Sequence, residues 1–333
     1  MNQYKLLEQD EFPHEPSSEQ NYNESVYVNS FDLATKAGGW MRIGNRANER
    51  HAEMQVCMYL PDGRIACQFQ KPAIDDNSEF RAGGLHYQVT KPLHHVTMEY
   101  SGEIMLLDDP DLLRDPKKLF TTAPRGIAKI SYDMTGISPV HGGEPLSSSQ
   151  QTMYGRDFSL GHFNQHMKVV TSIDIDNVKI KFAGLGWRDH SWGPRYWTNI
   201  YFYRLFIANF GDGRAMMLLK LTDNDGNVRL GGVLQYDGEY EEITDMDVTT
   251  QWTKAKDPAA VTISVQTKRR SAILKGEILT LAPLRNRRKV DDQYLESRVA
   301  EGLTHWQWGD KETLGITEYI ELVEDGQPVG YPL

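Results

Sequence analysis

The chain has 333 residues and a formal net charge of −10, with 39 % hydrophobic and 25 % charged residues. That length holds one large domain or two ordinary ones, and the composition is that of a folded chain. The acidic balance argues against nucleic acid as a partner. The densest basic groups, Lys268–Arg270 and Arg285–Lys289, are short and flanked by apolar or acidic residues, as solvated strand ends are.

Residues 1–24 are polar and acidic and carry Pro13 and Pro16, which predicts a lead-in segment lying over the fold. They hold no apolar leader, and no later run reaches the roughly 18 apolar residues that a membrane helix needs. Cys57 and Cys67 flank a hairpin signal at Leu60–Gly63, but two cysteines make no disulfide framework. They read as free thiols in a reducing compartment, so the expectation is a soluble cytoplasmic protein without stable membrane insertion. An oligomer is compatible with the sequence.

Period-2 alternation begins at Val26-Tyr27-Val28 and dominates from there. Met54–Phe69 reads as a hairpin with an Asp-Gly turn. Asp109–Phe120 is the best helical stretch, cut into short turns by Pro110 and Pro116. Residues 136–151, rich in Gly, Pro and Ser, read as a linker. Beyond it, Val178, Ile180 and Phe182 alternate with lysines, and Ala215–Gln235 repeats the hairpin pattern. Ala215–Leu219 is apolar on both faces, as in a doubly covered strand. The pattern predicts an all-β chain of antiparallel barrels or sandwiches: a first β domain over 25–135, the linker, and a second over 152–333.

Several chemistries fail on their residues. Gly184-Leu185-Gly186 lacks the third glycine and the helix of a dinucleotide site, and no P-loop or nucleophile elbow is present. Asp223–Asn227 has Leu234 where a calcium loop needs its bidentate Glu, so it reads as a turn. His162 and His166 have a spacing suited to a metal but no third ligand nearby. His94 and His95 are adjacent on a strand and point to opposite faces. No metal and no cofactor are expected.

The informative segment runs from Gly186 to Trp197, with Arg188, Asp189, His190, Ser191, Trp192 and Arg195 in sequence. Gly184 and Gly186 would let the strand kink or bulge, and Gly193-Pro194 would turn it. Asp189 beside His190 offers a proton donor or acceptor, and Trp192 an apolar wall or a ring face for a cation. The same residues also suit a buried hydrogen-bond network that closes a barrel, and the residues alone leave both readings open.

Arg-Asp-His-Ser-Trp-Gly-Pro-Arg resembles the Asp-His-x-Trp-Gly signature of the carotenoid 1,2-hydratase (hydroxyneurosporene synthase) and AttH-like superfamily. Gln165-His166-Met167 and Gly315–Tyr319 resemble that group too, as do Gly38–Arg42 and Gly84–Tyr87 more weakly. The resemblance implies two tandem lipocalin-like β domains with a pocket near their junction. It also implies that His190 and Trp192 take part in activity. The tyrosine and aspartate of the hydratases that lie downstream of the motif have no clear match here.

The expected function is a cofactor-independent lyase, hydratase or isomerase acting by acid–base chemistry on a mostly apolar terpenoid or aromatic compound. Asp189 and His190 are the expected catalytic residues. Trp192, Tyr201 and Tyr203 are expected to line the pocket, with Arg188, Arg195, Gln165, His166 and Glu318 fixing the motif or the substrate. His86 and Tyr87 are the expected first-half contributors. Strand alternation forbids all of these from pointing inward together. A lipocalin-like carrier of a hydrophobic ligand and a shape-driven cyclase or pericyclase are the alternatives. The discriminating feature is an acid facing the cavity.

Overall fold

The computed structural model describes residues 4–147, 150, 152–155, 158–196, 200–290 and 293–333, with the side chains of 288–290, 293 and 294 left aside. Two compact units emerge. One comprises Met1–Pro61, Ala66–Leu106 and Pro124–Trp197; the other comprises Asp62–Ile65, Leu107–Ala123 and Thr198–Leu333.

The first unit contains β1 (Tyr4–Lys5), β2 (Tyr22–Asp32), β3 (Ala37–Arg46), β4 (His51–Tyr59), β5 (Ile65–Gln70) and β6 (Arg81–Ala82). It continues with β7 (Leu85–Lys91), β8 (His95–Leu107), β9 (Arg125–Gly136), β10 (His141–Pro145), β11 (Gly161–Ile175) and β12 (Val178–Pro194). The strand order is β1-β10-β11-β12-β2-β3-β4-β5-β8-β7-β6, and β9 pairs with both β11 and β8. That double pairing closes a barrel of eight antiparallel strands, β11-β12-β2-β3-β4-β5-β8-β9, which leaves few unpaired edges. Val26, Met41, Met54, Met98, Ile130 and Met167 belong to its buried interior. All sit on one parity of their strands, so a one-residue slip would turn the whole set outward.

In the second unit α1 (Pro116–Thr122) follows a 3-10 turn at Pro110–Arg114. Asp109 and Asp115 cap these two pieces through the amides of Asp111 and Lys118, at 3.0 Å each. Its strands are β13 (Ile200–Gly211), β14 (Arg214–Asp223), β15 (Val228–Tyr236), β16 (Glu239–Trp252) and β17 (Pro258–Thr267). They are followed by β18 (Ser271–Val290), β19 (Gln293–Trp308), β20 (Lys311–Glu324) and β21 (Gln327–Pro328). They pair in chain order, and β13 pairs with β20 to close a second ring. Phe206, Met216, Leu218, Ile263, Leu274 and Trp306 are in its core. Ala215–Leu219 are fully buried, as their two-faced apolar pattern anticipates.

The all-β, lipocalin-like architecture is as expected, and so are the hairpins at 54–69 and 215–235. Cys57 and Cys67 are both buried, and burial pushes the Cys67 thiol up to about 12. Among the described residues no helix is long and apolar enough to cross a membrane.

The domain boundary differs from expectation. The 136–151 segment does not separate the units: its residues His141–Pro145 form β10, paired with β11 and β1. Strand β12 is hydrogen-bonded to β2 from Leu185↔Phe31 to Pro194↔Tyr22, and β11 to β9, so the motif belongs to the first unit. Glycine, proline and serine mark a crossover inside a sheet as readily as a linker. The lead-in is also more than a cover, because Glu11 and Glu24 within it are buried at 0 % exposure.

The bulge expected at Gly184 and Gly186 is absent. β12 keeps one register with β11 from Gly161↔Trp192 to Ile175↔Val178. Gly186 instead permits close approach of β2, since a Cβ there would lie 1.9 Å from the Asn29 carbonyl oxygen. Backbone cannot swing aside as a side chain can. Gly186→Ala is therefore expected to destabilise the protein by about 3 kcal/mol, the upper end for overpacking, read as a lower urea midpoint at unchanged slope.

Candidate functional site

Alternation along β12 divides the motif between two faces of the first barrel. Arg188, His190 and Trp192 share the inner parity with Val26 and Val28 of β2 and with Phe163, Gln165, Met167 and Val169 of β11. Trp187, Asp189 and Ser191 point outward. The expected Asp189–His190 relay therefore does not form, because adjacent strand residues face opposite ways.

Inside, Arg188 makes a two-pronged ion pair with Glu11, one arm at 3.0 Å. The Glu11 carboxylate also accepts from Tyr87 Oη at 3.0 Å and from the Leu93 amide at 2.7 Å. Arg188 donates further to Gln165 Oε1 at 2.9 Å, and Gln165 Nε2 donates to the Ser138 carbonyl at 2.9 Å. These groups pin the first turn of the chain into the barrel mouth. Arg188, Gln165 and Tyr87, expected at the substrate, have their hydrogen bonds spent on one another.

Beside this network lies a second buried carboxylate. Glu24 Oε1 accepts from His190 Nε2 at 2.8 Å and from His14 Nδ1 at 2.7 Å. Its Oε2 accepts from Asn77 Nδ2 at 2.6 Å, Tyr22 Oη at 2.9 Å and the His14 amide at 2.9 Å. Burial pushes the Glu24 carboxyl up, but the two histidines outweigh it and hold it down at about 2. His14 is pushed down by burial and, more strongly, raised by Glu24 and Asp10. Its ring stacks on Trp192 with centroids 4.1 Å apart, so the group over the face of that tryptophan is an imidazole from the lead-in. Phe80 and Phe163 each present to the His190 ring at 5.3 Å.

The outer face is laid out in cross-strand rows. One row reads His141, Asn164, Asp189, Tyr27, Arg42 and Gln55 across β10, β11, β12, β2, β3 and β4. One neighbouring row reads His162, Ser191, Ser25, Gly44 and Glu53; the other reads His166, Trp187, Asn29, Trp40 and Cys57. Asp189, Tyr27, Arg42 and Gln55 are half-buried, whereas Asn164, Trp187, Asn29 and Trp40 are buried. His162 Nε2 stands 3.4 Å from Asp189 Oδ2. Tyr154 packs its ring against His162 at 4.8 Å, and the Arg195 guanidinium lies 4.2 Å over Phe158 while donating to Ser191 Oγ at 2.8 Å. Burial, with Arg42 beside it, pushes Arg195 down, and Asp189 partly restores it. Burial and His162 push His141 down to about 4, so it stays neutral at physiological pH.

This face carries buried polar atoms that have no hydrogen-bond partner among the described residues: both side-chain atoms of Asn164, Asn29 Nδ2, and the indole nitrogens of Trp187 and Trp40. Buried polar groups are nearly always satisfied, so a cluster of orphans in two adjacent rows singles this face out. Tyr27 stacks with Trp40 at 5.8 Å and meets Trp187 edge-on at 5.9 Å, forming an aromatic wall beside it.

The remaining expected residues divide as follows. Arg195 and His166 are on the outer face with Asp189. His86 points away from Tyr87 and sits 3.0 Å from Arg81, outside the barrel. Tyr201, Tyr203 and Glu318 belong to the second unit, and Trp197 lies outside the described residues. In that second unit the buried charges include Arg204 and Arg298 on Glu321, with Arg298 continuing to Asp257 at 3.2 Å. Glu11, His14, Glu24, His141 and Asn164 were not expected. Nothing in their local sequence separates them from solvated polar residues.

A family model described as a domain of unknown function, DUF7064, matches residues 7–323. No curated protein matches the sequence. Among solved structures, a protein classed as AttH from Nitrosomonas europaea aligns at TM-score 0.56 and 13 % identity, over 93 % of this chain and 98 % of its own. CghA in complex with Sch210972 aligns at 0.54 and 10 %, over 99 % and 96 %. Kievitone hydratase from Nectria haematococca aligns at 0.53 and 9 %, over 97 % of each chain. These likenesses bear out the AttH-like part of the resemblance as a fold; none of them is a carotenoid 1,2-hydratase.

Two outcomes are expected. Arg188→Met leaves the Glu11 carboxylate buried without its cation and should cost about 3–5 kcal/mol in chemical denaturation, most of which returns when Glu11→Leu is added. His141, held below its ordinary value of 6.5, binds its proton more weakly folded than unfolded. Stability should therefore rise with pH between about 4 and 6.5, and His141→Gln should flatten that slope in a melting-temperature series.

Proposed function

As the chain belongs to the DUF7064 family, whose description states no activity, we propose that it is an enzyme of hydratase or isomerase type. Its substrate is a mostly apolar small molecule bearing an oxygen function. The observation that carries this reading is the group of orphaned polar atoms on Asn164, Asn29, Trp187 and Trp40, arranged around a half-buried acid, Asp189. A carrier needs apolar walls and a few hydrogen bonds; an acid beside an imidazole at the same place adds proton transfer.

In the hydration direction, the Asp189 carboxyl gives its proton to one carbon of a double bond. Water adds to the other carbon and its surplus proton returns to the carboxylate. Elimination runs the same steps backwards. The faces of Tyr27, Trp40 and Trp187 suit an apolar skeleton and stabilise positive charge as it develops on carbon. His162, 3.4 Å from Asp189, positions the carboxyl, and Arg195 with Asn164 orients the substrate oxygen. The Nectria haematococca neighbour, a hydratase on the same fold, is in keeping with this chemistry.

The test is incubation of the purified protein with a mixed extract of apolar metabolites, followed by mass spectrometry of bound and altered compounds, for wild type and Asp189→Asn. A gain or loss of one water with wild type, slowed about 10²–10⁴-fold in Asp189→Asn with ligand retention intact, is the expected result. Equal turnover by both proteins, or tight retention of an unaltered compound by both, would overturn the proposal and leave a carrier.

A further inference from the structure

The barrel interior holds a second constellation that the proposed reaction does not use. His14 Nδ1, Glu24 Oε1 and His190 Nε2 all lie within 4.8 Å of one another. We propose that these three side chains form a binding site for a divalent transition-metal ion of the zinc type, independent of the outer-face reading.

Two imidazoles and a carboxylate are a donor set that suits first-row divalent ions. The surroundings are those that support metal ligands. The far oxygen of Glu24 is fixed by Asn77 at 2.6 Å, by Tyr22 at 2.9 Å and by the His14 amide at 2.9 Å, which holds Oε1 toward the two imidazoles. The other ring nitrogen of His14 stands 3.6 Å from the Asp10 carboxylate, beyond hydrogen-bond distance, so a small movement of Asp10 would complete the carboxylate–histidine arrangement that raises ligand basicity. Phe80, Phe163 and Trp192 wall the site with aromatic surface. His190 is fully buried, whereas the His14 side chain keeps 23 % of its exposure, so an ion has a way in.

The distances fit with small adjustment. Ligand bonds of about 2.0–2.1 Å require the two imidazole nitrogens to stand no more than about 4.2 Å apart. The ligand atoms of the three residues already lie within 4.8 Å of one another, and His14 sits on the lead-in segment at the barrel mouth. In the metal-free protein the same atoms are held by hydrogen bonds, with Glu24 Oε1 between the two rings, so the ligands are gathered before an ion arrives. The chain separations, 10 residues from His14 to Glu24 and 166 from Glu24 to His190, match no metal-binding motif, which is why spacing does not reveal the set.

The test uses the full chain, stripped by chelator dialysis, with Zn²⁺ as the probe and metal analysis after equilibrium dialysis as the readout. One Zn²⁺ per chain is expected. Loss of a ligand in His14→Ala should weaken binding about 100-fold or more, and Asp10→Asn about 10-fold. His162→Ala, which removes the nearest histidine–carboxylate pair on the other face, should leave binding unchanged. His14 is partly exposed, so its variant is expected to stay folded, checked by circular dichroism. Replacement of Zn²⁺ by Co²⁺ in the wild type gives a second readout free of mutation, an intense visible absorption from low-coordinate Co²⁺. Failure of wild type to bind stoichiometric Zn²⁺, binding that survives His14→Ala, or a Co²⁺ spectrum like that of the hydrated ion would each overturn the proposal.

Discussion

Side chains alternate along a strand, and everything of interest in the first unit follows from where β12 places each parity. Its even residues Arg188, His190 and Trp192 enter the barrel, and its odd residues Trp187, Asp189 and Ser191 leave it. A motif that reads as one cluster in sequence is thus two clusters in space, separated by the thickness of the sheet. The register that fixes this is continuous over ten pairs with β2 and fifteen with β11. Gly186 permits it by letting the Asn29 carbonyl lie where a side chain would otherwise be.

The inner cluster is an electrostatic closure. Two carboxylates from the lead-in, Glu11 and Glu24, are taken fully out of water, which is tolerable only because each is surrounded by donors. Arg188 and His190 supply the decisive ones, so the motif and the chain's first turn hold each other in place. The second unit uses the same device with Arg204, Arg298 and Glu321. Pairs of this kind add little net stability over apolar packing, but removing one member is costly, and that makes the connection specific. The outer cluster is different in kind: several of its buried polar atoms lack a hydrogen-bond partner among the described residues, and its acid is half-buried beside aromatic rings.

The fold was legible where it depends on local alternation. The hairpins at 54–69 and 215–235, the doubly buried strand at 215–219 and the capped turns near Asp109 all follow from short-range pattern. Closure was not legible, because β2 meets β12 across more than 150 residues and no local signal encodes that pairing. The same distance misplaced the boundary, since 136–151 has the composition of a linker and works as a crossover through β10. In the site, Asp189, His190, Trp192 and Arg195 stood out by density of unusual residues. Glu11, His14 and Glu24 did not, because an acid or histidine in a polar segment looks solvated until its partner 166 or 177 residues away is known.

The proposed reaction requires the outer face around Asn164 and Asp189 to receive a molecule. The most direct measurement is a high-resolution electron-density map of crystals grown with the apolar metabolite extract. Ordered density, from water or a bound compound, is expected within hydrogen-bonding distance of Asn164 and the Trp187 indole nitrogen and beside the Asp189 carboxyl. A dry face, with Asn164 turned to bond its neighbours and the rings packed closed over Asp189, would contradict it.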